Sequence, residues 1–317
     1  MPTYRTNLPQ LSERLFLTDG GLETTLIFHE GLDLPLFAAF DLLNKDGGIG
    51  ILRAYYERYA RLALEARAGF ILESPTWRAN TDWGRRMGYA DHDLDRINRR
   101  SILLMQEVRE AFETPASPMV ISGCVGPRGD GYRPGTLMSA SEARGYHGRQ
   151  IDVFAGTEVD MVAAITMTYP EEAIGIARAA RAAGLPVAIS FTVETDGRLP
   201  SGHGIGEAIS IVEDETDGSP AYYMLNCAHP SHFRDALAAG EAWTARLRGL
   251  RANASMRSHA ELDEAKDLDD GDPVDLGRRY AELRRLLPQL TVLGGCCGTD
   301  HRHVEQIGNA CCSAAAA

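Results

Sequence analysis

The amino-acid sequence predicts a (β/α)8 barrel. Three observations lead there: a chain of 317 residues, eight short β-rich runs alternating with eight segments of helical period, and no dinucleotide turn after the first run. A doubly wound sheet for dinucleotides places G-x-G-x-x-G after its first strand, and here that turn reads "TDGGLETT". Eight βα units need about 250 residues, so one barrel domain spanning residues 1–317, with a short C-terminal tail, accounts for the chain.

The elements follow in order. "RLFLTDGG" (14–21) is the first strand, and "GIGILRAYYERYARLALEARA" carries apolar residues at the three-to-four spacing of a helix stripe. "GFILESPT" (69–76) and "PMVISGCVG" (118–126) are the second and third strands, separated by the helical "HDLDRINRRSILLMQEVREAF". "SASEARGYHGRQIDVFAG" opens with Ser139 and Glu142 spaced as a capping box, in which each side chain satisfies a backbone amide of the first turn. The fourth strand, "VDMVAAITM" (159–167), leads to a helix starting at Pro170-Glu171-Glu172. Proline needs no amide partner at that position, and acids there complement the helix dipole. "LPVAISFTV" (185–193), "AYYMLNCAH" (221–229), "RLRGLRANA" (246–254) and "QLTVLGGCC" (289–297) complete the strands. Between and after them come "GIGEAISIVEDE", "PSHFRDALAAG", "VDLGRRYAELRRLL" and "DHRHVEQIG" as helices. "RSHAELDEAKDLDDGDP" is an acidic segment ending in Gly and Pro and is expected to be a solvated surface loop, while "CCSAAAA" is a tail whose Cys311 and Cys312 are incidental.

Composition narrows the function. A net charge of −12 disfavours nucleic acid or an anionic membrane as partner, since both require a basic surface. No run approaches the ~20 apolar residues of a membrane span, and the N-terminus lacks a secretory pattern. A cytoplasmic enzyme acting on small molecules is the expectation, with homo-oligomerisation left open. In a reducing compartment the 6 cysteines are free, metal-bound or catalytic rather than paired.

A barrel carries its chemistry at the C-terminal ends of its strands. Cys227 closes the sixth strand in "LNCAH", and Cys296 and Cys297 close the eighth in "LGGCC", so the three face one mouth. They are either the ligands of a soft metal or small core residues brought together by chance. Three thiolates with a fourth position open would suit a catalytic zinc, and the flanking glycines relax the backbone so that adjacent sulfurs can reach one ion. Cys124, alone after the third strand, reads as a small buried hydrophobe. His229, His301 and His303 are alternative ligands or ordinary helix-start histidines.

"TDGGLETTL", the "NC" after the sixth strand and "GGCCGT" after the eighth together resemble the homocysteine S-methyltransferase family, over about residues 16 to 307. The resemblance implies a zinc barrel that methylates a thiol, yielding methionine where the thiol is homocysteine, with Cys227, Cys296 and Cys297 as zinc ligands. Metal coordination removes a thiol's proton at neutral pH, which explains a site rich in sulfur. The resemblance also makes Asp19 a contact for the substrate amino group, with the amides around Gly20 and Gly21 approaching the substrate backbone. Ser74 would lie near the amino-acid carboxylate. Asp19 could instead act as a turn residue, and Glu23 as a helix-start acid.

One position departs from the family. After the fourth strand, Ile165 stands where a glutamate commonly binds the amino group of homocysteine. Either Asp19, Glu73 or Glu194 compensates, or the acceptor is a different thiol. The donor is expected to be a small onium compound, S-methylmethionine or S-adenosylmethionine ahead of a betaine, because 317 residues leave no room for added folate or cobalamin domains. Trp77, Trp83 and Tyr132 are candidate aromatic faces for its cation. A zinc hydrolase would favour His and carboxylate ligands, and a zinc- or thiol-binding barrel without methyl transfer is the remaining alternative.

Overall fold

In the computed structural model, which describes residues 1–312 apart from the Cys312 side chain, eight parallel strands form a closed barrel in sequential order. The rest of the tail, 313–317, and the Cys312 thiol lie outside the described residues. The strands are β1 (Phe16–Leu17), β2 (Gly69–Glu73), β3 (Met119–Val125), β4 (Met161–Met167), β5 (Val187–Phe191), β6 (Tyr222–Asn226), β7 (Leu247–Ala252) and β8 (Val292–Gly295). Pairing of Phe16 with Val292 closes the ring. The barrel helices are α1 (Gly48–Glu65), α2 (Asp91–Phe112), α3 (Ala140–Ala155), α4 (Pro170–Ala182), α5 (Ile205–Thr216), α6 (Pro230–Ala238), α7 (Pro273–Leu286) and α8 (His301–Cys312).

The strands are buried on both faces, and their two-residue period sorts side chains into two cores. Phe70 and Leu72 of β2, and Leu250 and Ala252 of β7, join the outer core under the helices, and Leu247 joins them because the β6–β7 register shifts beside it. Phe16, Ile71, Val120, Met161, Ala163, Tyr222, Met224 and Val292 fill the interior, and Cys124 and Ile165 belong to this inner set. Each helix offers its stripe to the outer core, as α1 does with Leu52, Tyr55, Tyr56, Tyr59, Ala60 and Ala63. The capping box of α3 forms as expected: the Ser139 hydroxyl accepts from the Glu142 amide, and the Glu142 carboxylate accepts from the Ser139 amide.

The N-terminal segment closes one end. Leu8 enters the inner core, the Tyr4 amide donates to Asp160 at 2.7 Å, and Asp160 is paired with Arg109 at 2.8 Å. The other end, where the strands finish, holds a cavity of about 410 Å³.

Candidate active site

The cavity is built from loop residues that the strand ends hold in place. Asn226, the last residue of β6, ties three strands together. Its Oδ1 accepts from the Thr166 amide at 2.9 Å and the Ser190 hydroxyl at 2.6 Å, and its Nδ2 donates to the Thr166 hydroxyl at 2.8 Å. Thr166 follows an irregularity in the β4–β5 pairing and has φ +68°. Cys227 then turns into the left-handed region at φ +56°, a conformation costing a non-glycine residue on the order of 1–3 kcal/mol. This turn sends its sulfur across to the β8 loop rather than onward along the strand.

There the three sulfurs meet. Cys296 Sγ lies 3.0 Å and Cys297 Sγ 3.5 Å from Cys227 Sγ. All three backbones are pinned: the Cys227 amide donates to Arg251 O at 3.0 Å, the Cys296 amide to Ala252 O at 2.9 Å, and Cys297 O accepts from Ala254 at 3.1 Å. Hydrogen bonding with Cys227 and Cys297 holds the Cys296 thiol well below its usual range, whereas hydrogen bonding with Cys296 and Cys297, together with burial, pushes Cys227 well above.

A chain of contacts supports the cluster from behind. His259 bridges Glu194, at 3.1 Å through Nδ1, and the Cys227 carbonyl, at 2.6 Å through Nε2. The Asn253 amide nitrogen also donates to that carbonyl at 3.0 Å. Tyr132 stacks on the His259 ring with centroids 3.8 Å apart and places its hydroxyl 3.1 Å from Cys227 Sγ and 3.6 Å from Cys297 Sγ.

Deeper in the barrel sits a charged group. Arg251 points inward from β7, donates to Asp19 Oδ1 at 2.5 Å and to Gly295 O at 3.2 Å, and lies 3.6 Å from Glu73 Oε2 on β2. Asp19 Oδ2 accepts from the Tyr55 hydroxyl at 3.1 Å. Burial raises the Asp19 carboxyl and pushes Glu73 up to about 7, with the Arg251 charge opposing both shifts.

The comparisons with known proteins agree with this architecture. Residues 16–311 match the homocysteine S-methyltransferase family. The chain belongs to that family. It is 26% identical to homocysteine S-methyltransferase 4 of Zea mays, over 93% of this chain and 88% of that protein. It is 24% identical to a selenocysteine methyltransferase of Astragalus bisulcatus, over 88% of this chain and 87% of that one. The fold is also that of the homocysteine methyltransferase MmuM from Escherichia coli. Its oxidized form superposes with a TM-score of 0.77 at 18% identity, covering 95% of this chain and 97% of that one. Its metallated form gives 0.72 at 18% identity, over 96% and 98%. The protein is therefore a methyltransferase with a TIM-barrel fold.

Within this methyltransferase the residues singled out in the sequence fall into three groups. Cys227, Cys296 and Cys297 converge, and among the described residues they are the cluster able to hold a metal. The histidines stand apart from them: His229 caps α6 through Ser231, with burial taking its ring down to about 4, and His303 is buried between Asp300 and the Asp270 carbonyl. His301 opens α8. Asp19, Gly20, Gly21, Glu23, Glu73, Ser74, Cys124 and Ile165 all line the cavity.

Several of those residues have local work of their own. The Gly21 amide already donates to Thr299 O at 2.9 Å, and a Cβ there would come within 2.6 Å of Cys296 O. That glycine thus permits close approach of the β1 and β8 loops. A Cβ at Gly20 would similarly lie 2.9 Å from Thr299 O. The Ser74 hydroxyl accepts from the Cys124 amide at 2.9 Å and shares a 2.7 Å bond with Thr76, so it is committed internally. Glu23 opens a short helix, as its helix-start role required, but it also faces the cavity, where burial moves it up to about 7.

Three expectations are corrected. Trp83 is buried with Arg78 and Arg86 stacked over it at 3.9 and 4.3 Å, so its face is taken, whereas Trp77 and Tyr132 do line the cavity. Glu194 is committed to His259 and stands outside the cavity lining, which leaves Asp19 and Glu73 as the acids beside Ile165. The acidic 257–273 segment is no mere solvated loop: Leu262, Asp263, Ala265, Asp267, Leu268 and Asp269 form one wall of the cavity.

Arg251 and His259 were missed in the sequence. For Arg251 a signal existed, since Leu250 and Ala252 of "LRGLRA" face the helices and the alternation sends the arginine inward. His259 lies in the acidic 257–273 segment, where no strand or helix period marks it. Partners behind metal ligands typically contribute 10–100-fold in metal affinity. We expect His259→Ala to weaken the affinity of the three-sulfur cluster for added zinc by about that factor, measured by competition with a chromogenic chelator.

Proposed function

We propose that this protein is a zinc-dependent thiol methyltransferase that moves a methyl group from a small onium donor to homocysteine, giving methionine. The observation that carries the proposal is the convergence of three cysteine sulfurs at the mouth of the barrel. The donor set fits zinc: an all-sulfur trio is soft, and tetrahedral zinc at about 2.3 Å from each sulfur spaces its ligands at about 3.8 Å. The observed 3.0 and 3.5 Å separations need only small rotations about the Cα–Cβ bonds to reach that spacing. Zinc, when bound, supplies the Lewis acidity that keeps an acceptor thiol ionised at neutral pH.

The chain does the rest. Cys227, Cys296 and Cys297 would hold the ion with three thiolates and leave one position for the acceptor sulfur. Held in line with that sulfur, an onium methyl group needs no acid catalyst, because its leaving group departs neutral. The cavity wall suits such a cation. Glu23, Asp130, Asp263, Asp267 and Asp269 face it against Arg78 and Arg251, and Phe28, Phe37, Trp77 and Tyr132 offer aromatic surface.

Methionine formation from homocysteine, assayed with S-methylmethionine, S-adenosylmethionine and glycine betaine in turn, tests the proposal. We expect turnover with at least one sulfonium donor, persisting at pH 7 without following the free thiol's ionisation curve near ~8.5. Absence of transfer from all three donors to any of a panel of thiols would refute it. Ile165 favours a second reading, an acceptor other than homocysteine. If Asp19 were the sole partner of the amine, Ile165→Glu would improve homocysteine binding. If the natural acceptor carries no amine there, the same change weakens it.

A further inference from the structure

The inference concerns which side chain receives the acceptor's polar head, and it rests on the thiol methyltransferase reading above. Buried polar atoms are almost always hydrogen-bonded, and one left unpaired costs about 1–3 kcal/mol. Three such atoms belong to residues lining this one cavity: Arg78 Nε, which can only donate, and Glu73 Oε1 and the Tyr56 hydroxyl, the two that can accept. Glu73 is 6% and Tyr56 1% exposed, so water is largely kept from both side chains.

Asp19, the acid nearest the β1 turn, is differently placed. One of its oxygens is held by Arg251 and the other by the Tyr55 hydroxyl, and the guanidinium cancels its charge. Across the mouth, Ile165 offers no acceptor atom and its carbonyl receives the Trp77 indole at 3.1 Å. Between Asp19 and Glu73, it is Glu73 that keeps a buried oxygen without a hydrogen-bond partner, while Glu23, on the short helix after β1, is only half-buried. The other Glu73 oxygen lies 3.6 Å from Arg251 Nη1, which helps Glu73 stay ionised when a cation arrives.

We infer that the acceptor is an aminothiol whose ammonium is received by Glu73 Oε1, with the Tyr56 hydroxyl as a second acceptor, while its sulfur reaches the three cysteines. Recognition of the amine then comes from β2 and α1. This accounts for Ile165: with the ammonium held on β2, the β4 wall is free to be apolar and packs against the acceptor's methylene groups.

The test compares homocysteine with 4-sulfanylbutanoate, the same thiol without its amino group, by calorimetric titration into the zinc-loaded protein. A charge-assisted hydrogen bond corresponds to about a 10–100-fold change in affinity. Glu73→Gln is expected to weaken homocysteine by that factor and to leave 4-sulfanylbutanoate within about twofold. Tyr56→Phe, which removes one oxygen from a helix residue, should weaken homocysteine several-fold with the same selectivity. Equal weakening of both thiols, or of neither, by both variants would overturn the assignment. Because binding is read directly, failure of methyl transfer with intact selective binding would count against the proposed function and leave the Glu73 site standing. Turnover of both thiols with unchanged preference in Glu73→Gln would do the reverse.

Discussion

Replacing Cys296 and Cys297 together by alanine is expected to leave the purified protein without bound zinc and to lower methyl transfer by about three orders of magnitude or more. The wild-type protein, prepared without chelator, should carry about one zinc per chain. Three amides and carbonyls of the β6, β7 and β8 ends fix the cysteines, and the left-handed turn at Cys227 is maintained by the structure around it. One remaining thiolate cannot close a zinc site, so removal of two ligands abolishes the site rather than detuning it. Cys311→Ala serves as a control, since Cys311 packs in the outer core, outside the sulfur cluster and the cavity lining. Elemental analysis and the methionine assay give the two readouts. Retention of a full zinc complement by the double variant would show that the metal is held elsewhere.

The barrel was legible because each of its signals is local. A strand buried on both faces is a short apolar run, and a barrel helix has an apolar stripe, so alternation of the two exposes the topology without any long-range information. All eight helical segments fall within a few residues of the observed ones, and the Ser139 and Glu142 pair marks the start of α3 by its own chemistry. The cysteine trio was legible for a related reason: each member sits directly after a strand, and the barrel brings all strand ends to one mouth. The residues that escaped depend on relations across the barrel. That Asp19 would meet Arg251 and thereby lose its free charge involves β1 and β7, far apart in the chain. That the acidic 257–273 segment folds over the mouth depends on tertiary anchors such as Asp269 with Ser255 and the Asp270 carbonyl with His303. Composition marked that segment as polar, and polarity alone does not separate a solvated loop from the wall of a cavity suited to cations.

Arg251→Met is expected to lower the unfolding free energy by about 3–5 kcal/mol at pH 8, with a distinctly smaller loss at pH 5. Arg251 is buried among Asp19, Glu73 and the Gly295 carbonyl, so methionine fills the space of its stem but leaves two carboxyls facing each other without a cation. In the wild type, burial already holds both acids above their ordinary range, Glu73 at about 7, with Arg251 pulling each back down. Without the guanidinium both rise further. The folded variant then binds more protons than the unfolded chain at every pH between the unfolded carboxyl values near ~4 and the higher folded ones. Stability consequently falls as pH rises through that window and levels off above it. Below ~4 both states are protonated and these groups contribute nothing to the slope. Urea denaturation of the zinc-replete wild type and variant from pH 5 to 8 measures the difference. A loss of equal size at both ends would show that Arg251 acts through packing and not through the two acids. Adding Glu73→Gln to Arg251→Met should recover part of the deficit at pH 8 and little at pH 5, because an amide needs no counter-ion. Failure of that recovery would place the cost at Asp19, whose Tyr55 partner on α1 would then be its sole remaining side-chain support.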